Sequence, residues 1–308
     1  TPATSNQKDK QPLVLPFAVG LLNARGEELP IQLESEPAAT TGTRLLIVDK
    51  AQQEFVFTGI LEAPVPSLFR DYSAPVKIFF DYSSEQLATL ISHDRDAFVR
   101  WDAAQRMAQD AILEQCKRRA EGRNMELDTA LIKAFRGILS DHDADPALLA
   151  EALRLPAEDY LADQMEMVDV DGIHEARTFI KKSLAKKLAE LFTGRYTELN
   201  DGRPYQKTAL AMAGRSLKNI CLSYLLETDA GELLAVKQLE SSDNMTDTLA
   251  AMQGLILAES QRAGPALSSF EEKWKQDALV MDKWFMLQAI KPGSDTVNTV
   301  QRLMAHPA

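Results

Sequence analysis

The sequence has 308 residues and a formal net charge of −11, from 34 Lys and Arg residues against 45 Asp and Glu residues. No segment concentrates enough basic charge to follow a phosphate backbone, which excludes nucleic acid as an expected partner. With 45% hydrophobic residues, the chain can bury a sizeable core, and its length leaves room for about two domains.

Residues 12–80 carry short β-branched or aromatic runs separated by turn residues, which is the pattern of a small β-domain. The predicted strands are PLVLPFAVGLL, LPIQLE, TRLLIVD, QEFVFTGI and PVKIFF. The charge-free run at residues 11–24 imitates a signal peptide. Because Pro12 and Pro16 interrupt it and it is far shorter than a membrane span, we interpret it as a strand and expect no membrane association.

The hydrophobic period changes near residues 80–85, and from there to His306 the pattern is helical. The first long helix is predicted from Asp94 to about Ala120, ending before Gly122. Its apolar stripe, which we predict to be core, consists of Phe98, Trp101, Ala104, Ala108, Ile112 and Cys116.

Later segments repeat this scheme with short loops between them. Helices are predicted at about 126–139, from Pro146, at 171–192 closed by Gly194, at 204–226, and four more between 231 and 305. Helix pairs without one dominant central pair indicate a HEAT-like array without a strict period. The predicted fold is therefore mainly α, a HEAT-like α-helical superhelix (residues 83–308) preceded by a small β-sandwich domain (residues 1–82).

The stretch DGIHEARTF begins like the zinc-protease motif H-E-x-x-H, in which two histidines share one helical face and the glutamate acts as base. Four residues after His174 stands Thr178, a poor zinc ligand, and Arg177 would repel the cation. We therefore interpret His174 as an exposed or half-exposed histidine. It lies beside a predicted buried stripe of Ile173, Ala176, Ile180, Leu184, Leu188 and Leu191.

The stretch SDHDADPA imitates the opening of a calcium loop through Asp141, Asp143 and Asp145. Its sixth position should be Gly and is Pro146, and its twelfth should be Glu and is Ala152. The calcium interpretation fails. What the pattern predicts is a helix start, with Asp145 as cap and Pro146 as the first helical residue.

The remaining candidates also favour structural roles. His93 and His306 lack a second ligand at helical spacing, and Cys116 and Cys221 are interpreted as small core residues, which fits a reducing compartment. A tryptophan-rich stretch near the C-terminal end is interpreted as core packing on one helical stripe, made of Trp274, Ala278, Met281, Phe285 and Gln288. Phosphate-binding and nucleophile-elbow motifs are absent from the sequence. We predict no catalytic, cofactor-binding or metal-binding residue in this chain.

Five blocks in the same order resemble the C-terminal portion of the bacterial aminopeptidase N family, zinc enzymes of the H-E-x-x-H class. The blocks are YSAPVKI, HDRDAFVRWDAAQRM, GRSLKNICLSYL, DNMTDTLAAM and KWKQDALVMDKWFMLQA. The resemblance spans essentially the whole chain. It implies a small β-sandwich followed by a helical domain of HEAT-like pairs, which encloses an active-site chamber.

The motifs that define catalysis in that family are absent here: H-E-x-x-H, its downstream ligand Glu and G-x-M-E-N. The resemblance therefore implies that zinc belongs to a preceding catalytic domain, that the chain begins inside the sandwich, and that it ends before the last helices. The expected partners are the N-terminal and catalytic domains of the same enzyme and peptide substrates, in the cytoplasm. We expect this chain alone to be inactive. The alternative is a free-standing helical scaffold that binds peptides or proteins.

Overall fold

A computed structural model describes residues 5–291 and 293–306. The chain is mainly helical with a small sheet first, which confirms the predicted fold class. It forms two compact units: Thr1–Ile138 with Glu151–Ile173, and Leu139–Ala150 with His174–Ala308. Within the described ranges, every helix is too short or too polar to span a bilayer.

The sheet has three antiparallel strands in the order β2-β1-β3, namely β1 (Leu15–Leu22), β2 (Arg44–Val48) and β3 (Val65–Leu68). Strand β1 lies in the middle, with its first part on β2 and its second part on β3. Its last five residues are buried.

The strand predictions are correct for β1 and β2 and wrong elsewhere. LPIQLE and QEFVFTGI contribute only isolated bridges, and PVKIFF is extended but is not assigned to a strand. Phe79 in that last segment is 89% exposed. Strand β3 was not predicted because it contains Pro66, which a ladder tolerates only at the edge of a sheet.

A buried arginine stands next to this sheet. The side chain of Arg70 is 2% exposed, and its Nη1 and Nη2 atoms lie 3.0 Å from Glu28 and 3.3 Å from Asp94. Its Nε donates to the hydroxyl of Ser67 at 2.7 Å. Because a buried charge is costly unless it is paired, these partners make the buried guanidinium tolerable. The guanidinium lies directly against Gly20, where it occupies the space that a Cβ atom would need.

Thirteen α-helices follow in the described residues. They are α1 (Ser84–His93), α2 (Ala97–Ala120), α3 (Thr129–Ser140), α4 (Pro146–Leu153), α5 (Glu158–Ala162), α6 (Val170–Lys187), α7 (Ala189–Leu199), α8 (Ala209–Leu225), α9 (Gly231–Ser241), α10 (Met245–Leu257), α11 (Ala263–Trp274), α12 (Ala278–Ala289) and α13 (Thr296–Met304).

The helix predictions need three corrections. The predicted helix at 171–192 is two helices, α6 and α7, which separate at Leu188, and Gly194 lies inside α7 rather than closing a helix. The region from 231 to 305 holds five helices instead of four. Helix α1, which begins at a capping box on Ser83, and the short helix α5 were not predicted.

Helix α2 buries most of its predicted stripe, since Ala104, Ala108, Ile112 and Cys116 are at most 3% exposed. The prediction is wrong for Phe98 and Trp101, which are only partly buried. Both belong to an aromatic cluster in which the Phe98 ring lies 4.9 Å from Tyr72 and 5.5 Å from Trp101. Tyr72 is itself 52% exposed, so this cluster lies at the surface.

Replacing Trp101 by alanine should therefore lower the free energy of unfolding by only about 1–2 kcal/mol, because a half-buried ring loses less area from solvent. Urea denaturation followed by circular dichroism measures the change. Ile112→Ala is the control, because the side chain is 0% exposed. It should cost about 2–5 kcal/mol. An equal cost for the two variants would contradict the partly buried position of Trp101.

Candidate functional site

A cavity of about 760 Å³ lies within the unit formed by Leu139–Ala150 and His174–Ala308. Its wall comprises the C-terminal ends of α7 and α9, the first turns of α8 and α10, and the loops that join them. The charged residues of the wall are Glu198, Asp201, Arg203, Arg215, Lys218, Asp243 and Asp247.

Two helix caps fix the starts of α8 and α10 at this wall. The hydroxyl of Thr208 accepts a hydrogen bond from the backbone N–H of Ala211 at 3.3 Å. The side-chain oxygen of Asn244 accepts from the backbone N–H of Asp247 at 2.9 Å. Such side chains satisfy amide groups that have no partner inside the helix, so they set where each helix begins.

A buried ion pair occupies the inner part of the wall. The Nζ atom of Lys218 lies 2.7 Å from Oδ2 of Asp247, and the two side chains are 8% and 6% exposed. Asn219 and Asn244 also donate to the carboxylate of Asp247, at 2.9 and 3.0 Å. Lys218 makes a longer bond to Asn200 at 3.4 Å. Both charges are thus paired and hydrogen-bonded, as burial requires.

Gln238 extends this network into the core. It is 1% exposed and donates to Asn219 at 2.9 Å and to the carbonyl of Asp247 at 3.0 Å. The hydroxyl of Tyr196 donates to Gln238 at 3.1 Å. Burial raises the pKa of Tyr196 to about 12, so its hydroxyl stays protonated and remains a donor at neutral pH. The network joins α7, α8, α9 and α10 and has the character of a structural support.

The outer part of the wall carries an exposed ion pair and an exposed carboxylate that accepts hydrogen bonds. Arg203 is paired with Asp201 within the loop between α7 and α8. The carboxylate of Asp243 accepts from the side chain of Asn244 at 3.2 Å and from the backbone N–H of Tyr205 at 2.7 Å. These bonds, with Asn244 contributing most, hold the pKa of Asp243 below its ordinary value. Asp243 is therefore ionised at neutral pH.

The histidines singled out in the sequence lie away from this cavity. His174 and His93 are exposed, as predicted for His174. His306 lies 3.3 Å from Glu271 and packs its ring against Trp284. None of these three histidines is among the described residues that line the cavity.

Both cysteines are buried and free, which confirms their interpretation as core residues. Burial raises the pKa of both thiols, to about 12 for Cys221. The predicted start of α4 is also confirmed, since Asp145 accepts from the backbone N–H of Ala147 at 2.9 Å and Pro146 opens the helix.

The tryptophan-rich stripe is only partly correct. Met281 is buried, but Ala278 is exposed. Trp274 belongs to a different helix, α11, because residues 275–277 are not helical and separate α11 from α12. The core of this region is instead made by Met252, Ile256, Phe270, Met281, Trp284 and Leu287.

The side chains present do not fit zinc. Across residues 5–291 and 293–306, no group of three or more His, Cys, Asp and Glu side chains could hold a metal ion. In the cavity, Asp247 and Asp201 are already bonded to Lys218 and Arg203. The absence of catalytic, cofactor-binding and metal-binding residues from this chain stays a prediction.

Sequence patterns gave little indication of the buried network. Asn244 with an acidic residue three positions later is a recognisable helix start. Its link to Lys218, 29 residues away, has no local signature.

Two protein families match consecutive parts of the chain. A family described as a domain of unknown function (DUF3458_C) with ARM repeats matches residues 84–308. A second family, described as a domain of unknown function (DUF3458) with an Ig-like fold, matches residues 1–81.

Two curated relatives are each called aminopeptidase N. The protein of Escherichia coli is 37% identical over 99% of this chain and 35% of its own length. That of Haemophilus influenzae is 37% identical over 100% of this chain and 35% of its own length. The chain thus spans about a third of the length of the curated relatives it matches.

A solved structure shares the fold. It is the crystal structure of Legionella pneumophila aminopeptidase A in complex with aspartic acid, at 29% identity and a TM-score of 0.79. The match covers 96% of this chain and 34% of that chain. The chain is homologous to the C-terminal part of bacterial aminopeptidase N, and it belongs to the DUF3458_C family of ARM-repeat domains.

Proposed function

We propose that this chain is the non-catalytic C-terminal region of a zinc aminopeptidase that removes N-terminal residues from peptides. In this proposal it helps to enclose the active-site chamber and limits which substrates reach the metal. The division into a β-sandwich domain at residues 1–82 and a helical domain at residues 83–308 is part of the proposal. So are a cytoplasmic location and partnership with the N-terminal and catalytic domains of the same enzyme.

The observation that carries the proposal is the homology, which extends over essentially the whole chain and over about a third of aminopeptidase N. A second observation agrees with it. Amide hydrolysis by a zinc enzyme needs a metal site and a carboxylate base, and the described residues offer no fitting set of metal ligands. The polar network around Lys218 and Asp247 is bonded within itself, which suits a supporting wall better than a catalytic centre.

The net charge supports a modest role in substrate attraction. At −11, the chain adds negative potential, which draws peptides with a cationic N-terminus toward a chamber that it borders. Because the screening length is about 8 Å at physiological salt, this contribution acts over short distances.

An assay of three samples tests the proposal: this chain, the complete enzyme, and the complete enzyme without this region. Each is given zinc, an aminoacyl chromogenic substrate and a small folded protein with a free N-terminus. We expect no turnover by the chain alone. If the shortened enzyme folds, the ratio of its kcat/KM values for the folded protein and the chromogenic substrate should rise, because the wall no longer excludes large substrates.

Circular dichroism of each sample provides the folding control. Turnover by the chain alone would contradict its non-catalytic role. An unchanged ratio in a folded, shortened enzyme would contradict the chamber role. Peptide binding by the chain without any effect on the enzyme would favour the alternative of a free-standing scaffold.

A further inference from the structure

Arg215 is a wall residue that carries an unpaired hydrogen-bond donor. Its Nη1 donates to the carbonyl of Gln206 at 3.1 Å, and its guanidinium carbon lies 4.7 Å from the centre of the Tyr205 ring. These two contacts hold the side chain in place. Its Nε is buried and has no hydrogen-bond partner among the described residues. An unpaired buried donor is costly, which favours an acceptor supplied from outside the chain.

Ser242 offers a second unused group in the same wall. Its hydroxyl is buried and has no hydrogen-bond partner in the part of the chain that the structure describes. Arg215 lies on α8, and Ser242 is the residue that follows the end of α9. One cationic N–H and one hydroxyl are therefore unpaired but buried, so a ligand rich in acceptors reaches them only after part of the wall moves.

The other basic groups of the described wall each have an acidic partner. Arg203 is paired with Asp201, and Lys218 is paired with Asp247. Arg215 instead contacts a neutral carbonyl and an aromatic ring. Among the cations of the described wall, Arg215 is therefore the one without a carboxylate bonded directly to it.

Acidic side chains of the wall could compete with an anionic ligand for Arg215. Glu198 is bonded to Arg195 at 2.9 Å, which removes it from consideration. Asp243 remains, and the positive charge of Arg215 contributes to its lowered pKa after its bonds to Asn244 and Tyr205. The negative charge of Asp243 thus attracts the guanidinium of Arg215 without a direct bond, and it would repel a bound anion.

We propose that the cavity is a carboxylate-binding site. The Nε and Nη2 atoms of Arg215 hold the two oxygens of the carboxylate side by side, the geometry for which a planar guanidinium is suited. The hydroxyl of Ser242 donates a further bond. Because Nε is buried, binding needs a small outward movement of the exposed loop at residues 200–207, which borders the cavity.

The cavity volume of about 760 Å³ suits more than a single carboxylate group, since organic ligands occupy pockets of roughly 300–1,000 Å³. Two sources of the carboxylate match this chemistry, the C-terminus of a short peptide and a small organic acid. The peptide source alone rests on the proposed function, whereas the carboxylate site does not.

Nuclear magnetic resonance of the 308-residue chain tests the proposal directly. The Nε–H resonance of Arg215 is assigned by its loss in Arg215→Lys. Sodium acetate is then titrated at constant ionic strength, followed by tetra-alanine with a free C-terminus and tetra-alanine amide. We expect a saturable shift of this resonance with acetate and with the free acid, and no saturable shift with the amide.

Variants supply the second measurement, calorimetric titration of the same probes. Arg215→Lys keeps the charge but loses the paired donors, and Arg215→Gln loses both, so affinity should fall about tenfold or more in each. Ser242→Ala should weaken binding about threefold, and Asp243→Asn should strengthen it because a competing charge is removed. The control Arg262→Gln changes the net charge equally at an exposed residue outside the wall and should alter affinity by a factor of about two at most.

The outcomes separate the claims. Tighter binding of tetra-alanine than of acetate, lost in the amide, supports a peptide C-terminus as the ligand. Equal binding of acetate and tetra-alanine supports the site with a small organic acid as ligand and contradicts the peptide source. Equal binding of the acid and the amide, no saturable shift with any probe, or affinities that ignore Arg215 would overturn the carboxylate site. If a variant fails to fold, calorimetric titration of the unaltered chain with tetra-alanine and with its amide decides the matter, because only the free acid should bind.

Discussion

Asp247→Ala is expected to lower the free energy of unfolding by about 3–5 kcal/mol, because it leaves the buried ammonium of Lys218 without its counter-ion. Lys218 is 8% exposed in its side chain, so water from the cavity replaces the lost carboxylate only in part. The variant also deprives Asn219 and Asn244 of acceptors. Urea denaturation followed by circular dichroism measures the loss.

Asp282→Ala is the matched control, since it removes the same group from an exposed position on α12. It should change the free energy of unfolding by about 0.5 kcal/mol or less. A double-mutant cycle with Lys218→Met and Asp247→Leu isolates the pair. The double variant should be less destabilised than the sum of the single variants, because neither charge is then left buried alone. Strict additivity would show that the ion pair contributes nothing specific.

Phe192→Ala is expected to have a comparable effect, a loss of about 3–5 kcal/mol, because a large ring leaves a cavity that the surroundings only partly fill. The side chain is 0% exposed. Its ring is stacked on Tyr224 with the centroids 4.5 Å apart and the planes inclined by 12°. This contact joins α7 to α8, so its loss should also loosen the helices that form the cavity wall.

Phe79→Ala makes the same chemical change at a ring that is 89% exposed. Its free energy of unfolding should stay within about 0.5 kcal/mol of the parent value. If the two phenylalanine variants were destabilised equally, burial would not be the cause of the loss at Phe192.

The helical character of the chain could be predicted because burial follows the apolar stripes. In α6, Ile173, Ala176, Ile180 and Leu184 are all at most 2% exposed, as their spacing indicates. The break at Leu188 could not be predicted, since Leu188 is itself buried and continues the stripe. Its backbone angles, φ −120° and ψ 19°, depart from the helix without any Gly or Pro to mark the change.

Strands were harder to predict than helices, for a related reason. PVKIFF has the composition of a strand, but strand formation depends on a partner, and composition does not reveal the partner. In the cavity wall, too, contacts between residues that are distant in the sequence could not be predicted from composition. The start of α10 is encoded locally by Asn244, whereas the pairing of Lys218 with Asp247 depends on how α8 and α10 pack.

The contact between Arg70 and Gly20 bears on how this sequence can change over time. Because the guanidinium occupies the space of a Cβ atom at position 20, alanine there would push aside a cation that is bonded to Glu28 and Asp94. A lineage can therefore gain a side chain at position 20 only after Arg70 has been replaced by a smaller residue, and that replacement first removes the cation beside buried Asp94, whereas Glu28 keeps its ion pair with Arg95. The order of substitutions is thereby constrained, and glycine at position 20 should persist wherever arginine persists at position 70.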